Sequence, residues 1–170
     1  IESLNDIKSL KSINEKLNII GNGSNSLIQK TAESTAFIKV SSNFESFNLS
    51  AKLLTVGAGV LVNQLLKYSQ ENNITGFEFM AGVPASVGGM VAMNFGCWDV
   101  EVSDIIESIE VFCFKKGIIK LTNKECKFDY RSSIFQNKKW IILKATFKIN
   151  VLNSSLPIKN KIHKYVKDRV

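Results

Sequence analysis

Five of the chain's ten glycines fall between Gly76 and Gly96, in the run GFEFMAGVPASVGGMVAMNFG. Glycine inside a helix or strand costs about 0.5–1 kcal/mol relative to alanine. So many in one run indicate a backbone that turns left-handed or comes close to something. Pro84 and small apolar residues fill the same stretch, and VGGMVAMN reads as a short helix entered through the double glycine. The residues from Ala81 to Gly89 leave room for a large flat ligand against the main chain. Ser86 and Asn94 are placed to hydrogen-bond at its polar edge. The same glycines also suit a tightly packed crossing of a helix and a strand. Both readings stand on this run alone.

A second dense cluster lies earlier, in IIGNGSNSLI from Ile19 to Ile28. A tight turn needs about one glycine and one Asn, whereas Gly21, Asn22, Gly23, Ser24, Asn25 and Ser26 stand together here. Successive backbone N–H groups in a glycine loop form a nest for an anion, and Ser24, Asn25 and Ser26 add neutral side-chain donors. Such a loop suits a pyrophosphate. It lacks the third glycine of the dinucleotide fingerprint and the Gly-Lys-Ser/Thr close of a Walker loop, so a plain turn is an equal reading.

The rest of the chain reads as a mixed α+β protein. Leu4, Ile7, Leu10, Ile13 and Leu17 recur at helical spacing and predict an amphipathic helix. LNII, AFIKV and AKLLTVGAGV predict strands, the last leading into the helix LVNQLLKYSQENN. DIIESIEVFCF, KKGIIKLTN and KWIILKATFKI predict three antiparallel strands, the first two joined by a Lys-Gly hairpin turn. CKFDYRSSIF, between the last two, predicts a turn with a short helical piece. From Asn150 the chain is polar and basic and predicts a linker running into a helix.

Composition narrows the chemistry. Of 170 residues, 45% are hydrophobic, enough for a real core, and no apolar run is long enough to span a bilayer. Cys97, Cys113 and Cys126 are far apart and form no C-x-x-C pair. A disulfide framework or structural zinc is therefore not expected, no metal site is assigned, and a reducing cytoplasm fits. His163 is the single histidine and lies in the basic C-terminal stretch, which disfavours His-based triads. The net charge of +7 favours anionic partners. The lysines are scattered rather than interleaved with aromatics, so nucleic acid is not the expected one.

The third feature is DYRSSIF, where Tyr130 and Arg131 fall in a turn between strands. A planar guanidinium there suits a bidentate clamp on a carboxylate. It equally suits a local ion pair with Asp129 or Glu125.

In order and spacing, GNGSNSLI, GFEFMAGVPASVGGMVAMNFG and DYRSSIF together resemble the UDP-N-acetylenolpyruvoylglucosamine reductases of bacterial peptidoglycan synthesis. The match runs from Ile19 to about Phe135. The resemblance implies an α+β, two-lobed FAD-binding domain of the vanillyl-alcohol-oxidase type. Residues 1–70 would form the first lobe and 71–150 the second, with 151–170 a linker and helix toward a substrate-binding domain. It implies that Gly21, Asn22, Gly23, Ser24, Asn25 and Ser26 hold the FAD pyrophosphate. Gly82, Val83, Pro84, Ala85, Ser86, Gly88, Gly89, Asn94 and Gly96 would wall the flavin. Arg131 would be catalytic, polarising the enolpyruvyl carboxylate, and Tyr130 would lie beside the substrate.

The activity so implied is cytoplasmic and serves cell-wall synthesis. Hydride passes from NADPH through FAD to C3 of the enolpyruvyl double bond of UDP-N-acetylglucosamine enolpyruvate, and a serine protonates C2, giving UDP-N-acetylmuramate. The expected partners are NADPH and the UDP-sugar, with neither nucleic acid nor membrane insertion. Ala85 departs from the family's usual glycine, and NFGCWDVE replaces the commoner N-A-G-A-Y-G-G-E. The family's serine motif, G-S-[FV]-F-x-N-P, and its later active-site glutamate do not occur in these residues, so this span alone is expected to be an incomplete enzyme. Two alternatives remain beside this one: another FAD-linked oxidoreductase of the same fold, and a non-catalytic flavin or nucleotide module.

Overall fold

The computed structural model describes residues 3–10, 16–27, 35–41, 46–138 and 140–169. Its centre is a five-stranded antiparallel sheet. The strands are β3 (Phe47–Ser50), β4 (Leu53–Gly57), β8 (Ile106–Cys113), β9 (Gly117–Thr122) and β10 (Trp140–Lys148), in the order β3-β4-β10-β8-β9. β10 occupies the middle, paired with β4 on one side and β8 on the other. Its position explains its composition: Ile141, Ile142, Leu143, Ala145 and Phe147 are all buried, because a central strand covered on both faces needs a nearly continuous apolar run. The main core lies on one face. A smaller cluster of Ile7, Phe112, Ile141 and Leu143 lies on the other, beneath α1 (Leu4–Ser9).

The strands expected from the sequence are present, with two adjustments. The helical face predicted from Leu4 to Leu17 is split: α1 takes its first part, and Leu17 belongs to strand β1 (Lys16–Ile20). Ile13 lies outside the described residues, as does Ile28 at the end of the first glycine cluster. The strand predicted from Asp104 begins at Ile106, because Val102–Ile105 forms a helical turn, α4. There the Glu101 N–H donates to Asp104 Oδ2 at 2.8 Å, a local bond that favours helix entry over extension.

β1 pairs in parallel with β2 (Thr35–Lys39), separately from the main sheet. The glycine loop starts where β1 stops. The five-stranded sheet takes β3 and β4 from before residue 70 and β8 to β10 from after it, so no break in hydrogen bonding falls at that position. Helix α2 (Val62–Glu71) opens with the Leu61 N–H donating to Gln64 Oε1 at 2.7 Å. It buries Val62, Leu65 and Leu66 in the main core. Two short pairs, β5 (Ile74–Thr75) with β11 (Asn150–Val151) and β6 (Gly96–Cys97) with β7 (Val100–Glu101), complete the strands.

Helix α3 (Val87–Ala92) lies against β10 and carries the double glycine. Gly88 is there for packing: a Cβ on it would sit 3.0 Å from the Ala58 Cβ. A short helix, α5 (Ile134–Asn137), precedes β10. The C-terminal helix α6 (Leu156–Asp168) buries Ile158 and Ile162 and packs on the 3₁₀ turn Glu78–Met80. Trp98 and Tyr165 stack face to face at 4.8 Å, which ties α6 to the turn after β6. Among the described residues no helix is long and apolar enough to cross a membrane.

Candidate functional site

A cleft of about 1360 Å³ opens between the parallel β1–β2 pair and the α3 region, larger than the ~300–1,000 Å³ of ordinary ligand pockets. One wall is the whole glycine loop, Gly21, Asn22, Gly23, Ser24, Asn25 and Ser26. The other holds Val83, Pro84, Ala85, Gly89, Met90, Met93 and Phe95, with Arg131, Gln136 and Lys138 at one end. Among the described residues no carboxylate lines the cleft, while Arg131 and Lys138 do. That donor set suits an anion.

The loop's shape follows from its residues. Gly23 has φ +82°, the left-handed region that glycine enters without penalty. The turn closes with the Ser26 N–H donating to Gly23 O at 3.2 Å. Asn22 bridges the two walls: its Nδ2 donates to Pro84 O at 3.1 Å, and its Oδ1 accepts from Lys39 Nζ at 3.1 Å. Gly21 lies directly on α3, where a Cβ would come within 3.0 Å of both Gly89 Cα and Ser86 Oγ. The two glycine-dense segments of the sequence therefore meet, and it is Gly21 whose missing side chain lets them approach.

The residues predicted for the flavin wall divide into three groups. Val83, Pro84, Ala85 and Gly89 line the cleft. Gly82 lines an adjoining hollow of about 330 Å³, together with Asn22 and Val83 to Ala85. Ser86, Gly88, Asn94 and Gly96 do not line the cleft. Ser86 is buried and caps α3, its Oγ accepting from the Gly89 N–H at 3.3 Å. A Cβ on Gly96 would strike Glu101 Cγ at 2.8 Å. Asn94 is 1% exposed, and its amide is spent on protein partners. These four were assigned to the wall by the family resemblance, and in this structure their contacts are with the protein itself.

Arg131 lies at the cleft and Tyr130 does not line it, being 79% exposed. The local ion pair that the sequence allowed is not formed among the described residues. Glu125 instead accepts from the Thr122 N–H and Oγ1 at 2.8 and 2.7 Å, and these bonds hold its carboxyl below the usual range. Asp129 Oδ1 accepts from the Tyr130 N–H at 2.7 Å. The Arg131 guanidinium lies over the Phe95 ring at 5.0 Å and near the Tyr130 ring at 5.8 Å. A guanidinium on an aromatic face keeps its in-plane N–H donors for another partner.

Phe95, Gln136, Lys138 and Arg169 were not legible in the sequence as site residues. Arg169 reaches back from α6, donating from Nη2 to Phe79 O at 3.0 Å and lying 5.8 Å from the Phe95 ring. Its only sequence signal was membership of a basic stretch. Among the described residues no cluster of His, Cys, Asp and Glu could hold a metal ion.

Three comparisons with known proteins give the chain's relatives. The FAD binding domain family model matches residues 5–122. A UDP-N-acetylenolpyruvoylglucosamine reductase of Rickettsia felis is 42% identical over 130 residues, covering 76% of this chain and 44% of that protein. The enzyme of the same name from Clostridioides difficile is 35% identical over 131 residues, covering 77% of this chain and 43% of its own. The crystal structure of UDP-N-acetylenolpyruvylglucosamine reductase from Thermus caldophilus superposes with a TM-score of 0.82 at 25% identity, over 99% of this chain and 60% of that one. The chain thus spans about half the length of the curated relatives it matches.

Proposed function

The chain belongs to the FAD binding domain family, and from that premise we propose that it forms the flavin-holding part of an NADPH-dependent UDP-N-acetylenolpyruvoylglucosamine reductase. The observation that carries the proposal is the cleft between the Gly21–Ser26 loop and the Val83–Gly89 segment, with a guanidinium in its lining and no carboxylate among the described residues that line it. A dinucleotide flavin needs a phosphate cradle, a flat apolar wall and freedom from negative charge, and these residues fit all three. The relatives named for this reductase share the sequence, and the superposed reductase shares the fold.

The residues take the following roles. The loop from Gly21 to Ser26 cradles the pyrophosphate with backbone and hydroxyl donors. Val83, Pro84, Ala85 and Gly89 present a wall low enough for a ring system to lie against. Arg131, steadied on Phe95, takes the enolpyruvyl carboxylate in its fork and stabilises negative charge developing beside it. Tyr130 flanks Arg131 on the exposed side of the same turn. Bound FAD would supply hydride transfer between NADPH and the enolpyruvyl double bond. The substrate's pyrophosphate and NADPH are anionic, in keeping with the chain's charge of +7. The activity is cytoplasmic and serves cell-wall synthesis.

The test is NADPH oxidation by the FAD-loaded full-length protein, with and without UDP-N-acetylglucosamine enolpyruvate. Oxidation dependent on that substrate, with UDP-N-acetylmuramate as product, is expected. Flavin binding without such dependence would favour another FAD-linked oxidoreductase of this fold.

A further inference from the structure

We propose that Asn94 is a positioning residue for Arg131, acting through the turn that carries it. The inference rests on the reading of Arg131 as the substrate carboxylate clamp and goes beyond it. Asn94 ends the α3 segment, 1% exposed, with φ +42°. Every face of its amide is used. Nδ2 donates to Glu101 Oε2 at 2.8 Å and to Asp129 O at 3.1 Å, and Oδ1 accepts from the Ser103 N–H at 3.0 Å. The Ser103 N–H needs an acceptor, which fixes which end of the amide is oxygen.

Asp129 is the first residue of the turn that presents Arg131. The Asp129 N–H donates to Ser132 O at 3.1 Å, and the Ser132 N–H donates to Asp129 O at 3.0 Å. Asp129 O therefore receives both the turn's own closing bond and the Asn94 bond. Between these two residues Arg131 is held at φ +51°, a conformation that an arginine does not choose unaided. Two more bonds tie the turn to its surroundings. Gln136 Nε2 donates to Arg131 O at 3.1 Å, and Ser133 Oγ donates to Ala92 O at 2.6 Å. Residues 92 to 95 thus serve Arg131 three times. Ala92 and Asn94 fix its backbone, and Phe95 lies under its guanidinium. Held this way, the side chain starts from a fixed root, and less freedom is lost when a carboxylate is bound.

Two variants of the FAD-loaded full-length protein test this. Asn94→Gly accepts φ +42° and removes the amide. Asn94→Asp keeps the size but turns an acceptor toward Glu101 and Asp129 O. Both should retain FAD and its rate of reduction by NADPH. Both should weaken binding of the enolpyruvyl UDP-sugar, read from the flavin absorbance change, by about tenfold, as expected for coupled neighbours. Amide exchange at Ser132 should quicken in both by a similar factor. Asn94→Gly added to Arg131→Lys should weaken binding little beyond Arg131→Lys alone.

Full-strength substrate binding by the Asn94 variants, with Arg131→Lys impaired, would overturn the positioning role and leave the clamp standing. No impairment in Arg131→Lys would overturn the clamp and this inference with it. If both Asn94 variants fail to fold, wild-type exchange decides: the Ser132 amide must be protected although its turn is exposed. Exchange there at the rate of an unstructured peptide would overturn the proposal.

Discussion

Gly21 and Gly89 touch so closely that a Cβ on Gly21 would lie 3.0 Å from the Gly89 Cα. Their contact sets the distance between the loop and the opposite wall of the cleft. Gly21→Ala should therefore push the loop outward, because the neighbours it meets are backbone and the buried Ser86 hydroxyl. Overpacking of this kind costs about 1–3 kcal/mol. The expected outcome is a lower unfolding midpoint in denaturant together with weaker FAD binding. Unchanged values of both would show that the contact is not needed.

Phe95 carries the Arg131 guanidinium at 5.0 Å and stacks on Phe79 at 6.1 Å. Phe95→Leu keeps an apolar filler but removes the aromatic face. A cation–π contact near the surface contributes about 0.5–1 kcal/mol, so binding of the enolpyruvyl substrate should weaken roughly two- to fivefold. FAD content should hold. Titration of the flavin absorbance with substrate measures both.

The sequence made the cleft's two walls legible because both depend on glycine. At Gly21 the need is close approach, and at Gly23 it is a positive φ. A side chain is strained at either position, so the composition itself records the geometry. The sheet was legible for a similar reason: a central strand covered on both faces, such as β10, must be apolar nearly throughout. The protein partners of Asn94 were not legible, because an amide hydrogen-bonded to Glu101 and Asp129 looks, in sequence, like one free for a ligand. Arg169 and Phe95 meet through tertiary contacts that no local spacing encodes. β3 is weakly marked in the sequence because it is a four-residue edge strand in which Phe47 packs on the core and the other three residues are exposed.

The Cys126 thiol is fully buried and is pushed up to about 12, first by loss of solvent and then by the nearby Glu125 carboxylate. Cys97 is half-buried. At pH 8 an alkylating reagent should modify Cys97 in the folded protein and spare Cys126 until denaturant is added; mass spectrometry reads the difference. The sign of the pH effect follows. A folded-state value above the unfolded one stabilises below the unfolded value, and that stability is lost as pH rises through the folded value. The wild-type unfolding midpoint should therefore fall more between about pH 9 and 12 than that of Cys126→Ala. Parallel curves would contradict this.

FAD titration of the flavin-free protein, wild type against Gly23→Val, reaches the site most directly. A Cβ at Gly23 meets no heavy atom within 4 Å, yet φ there is +82°. Valine thus disturbs the loop's backbone and its open side, and leaves the core alone. With the pyrophosphate in the Gly21–Ser26 loop, flavin fluorescence should show saturable binding to the wild type. The variant should bind at least about tenfold more weakly, the loss expected when a nest of charge-directed N–H donors is misaligned. Its unfolding free energy without FAD should fall only by the backbone strain at that φ, about 1–2 kcal/mol, so the variant remains folded. Equal FAD affinity in the two proteins would contradict the assignment of this loop as the phosphate cradle.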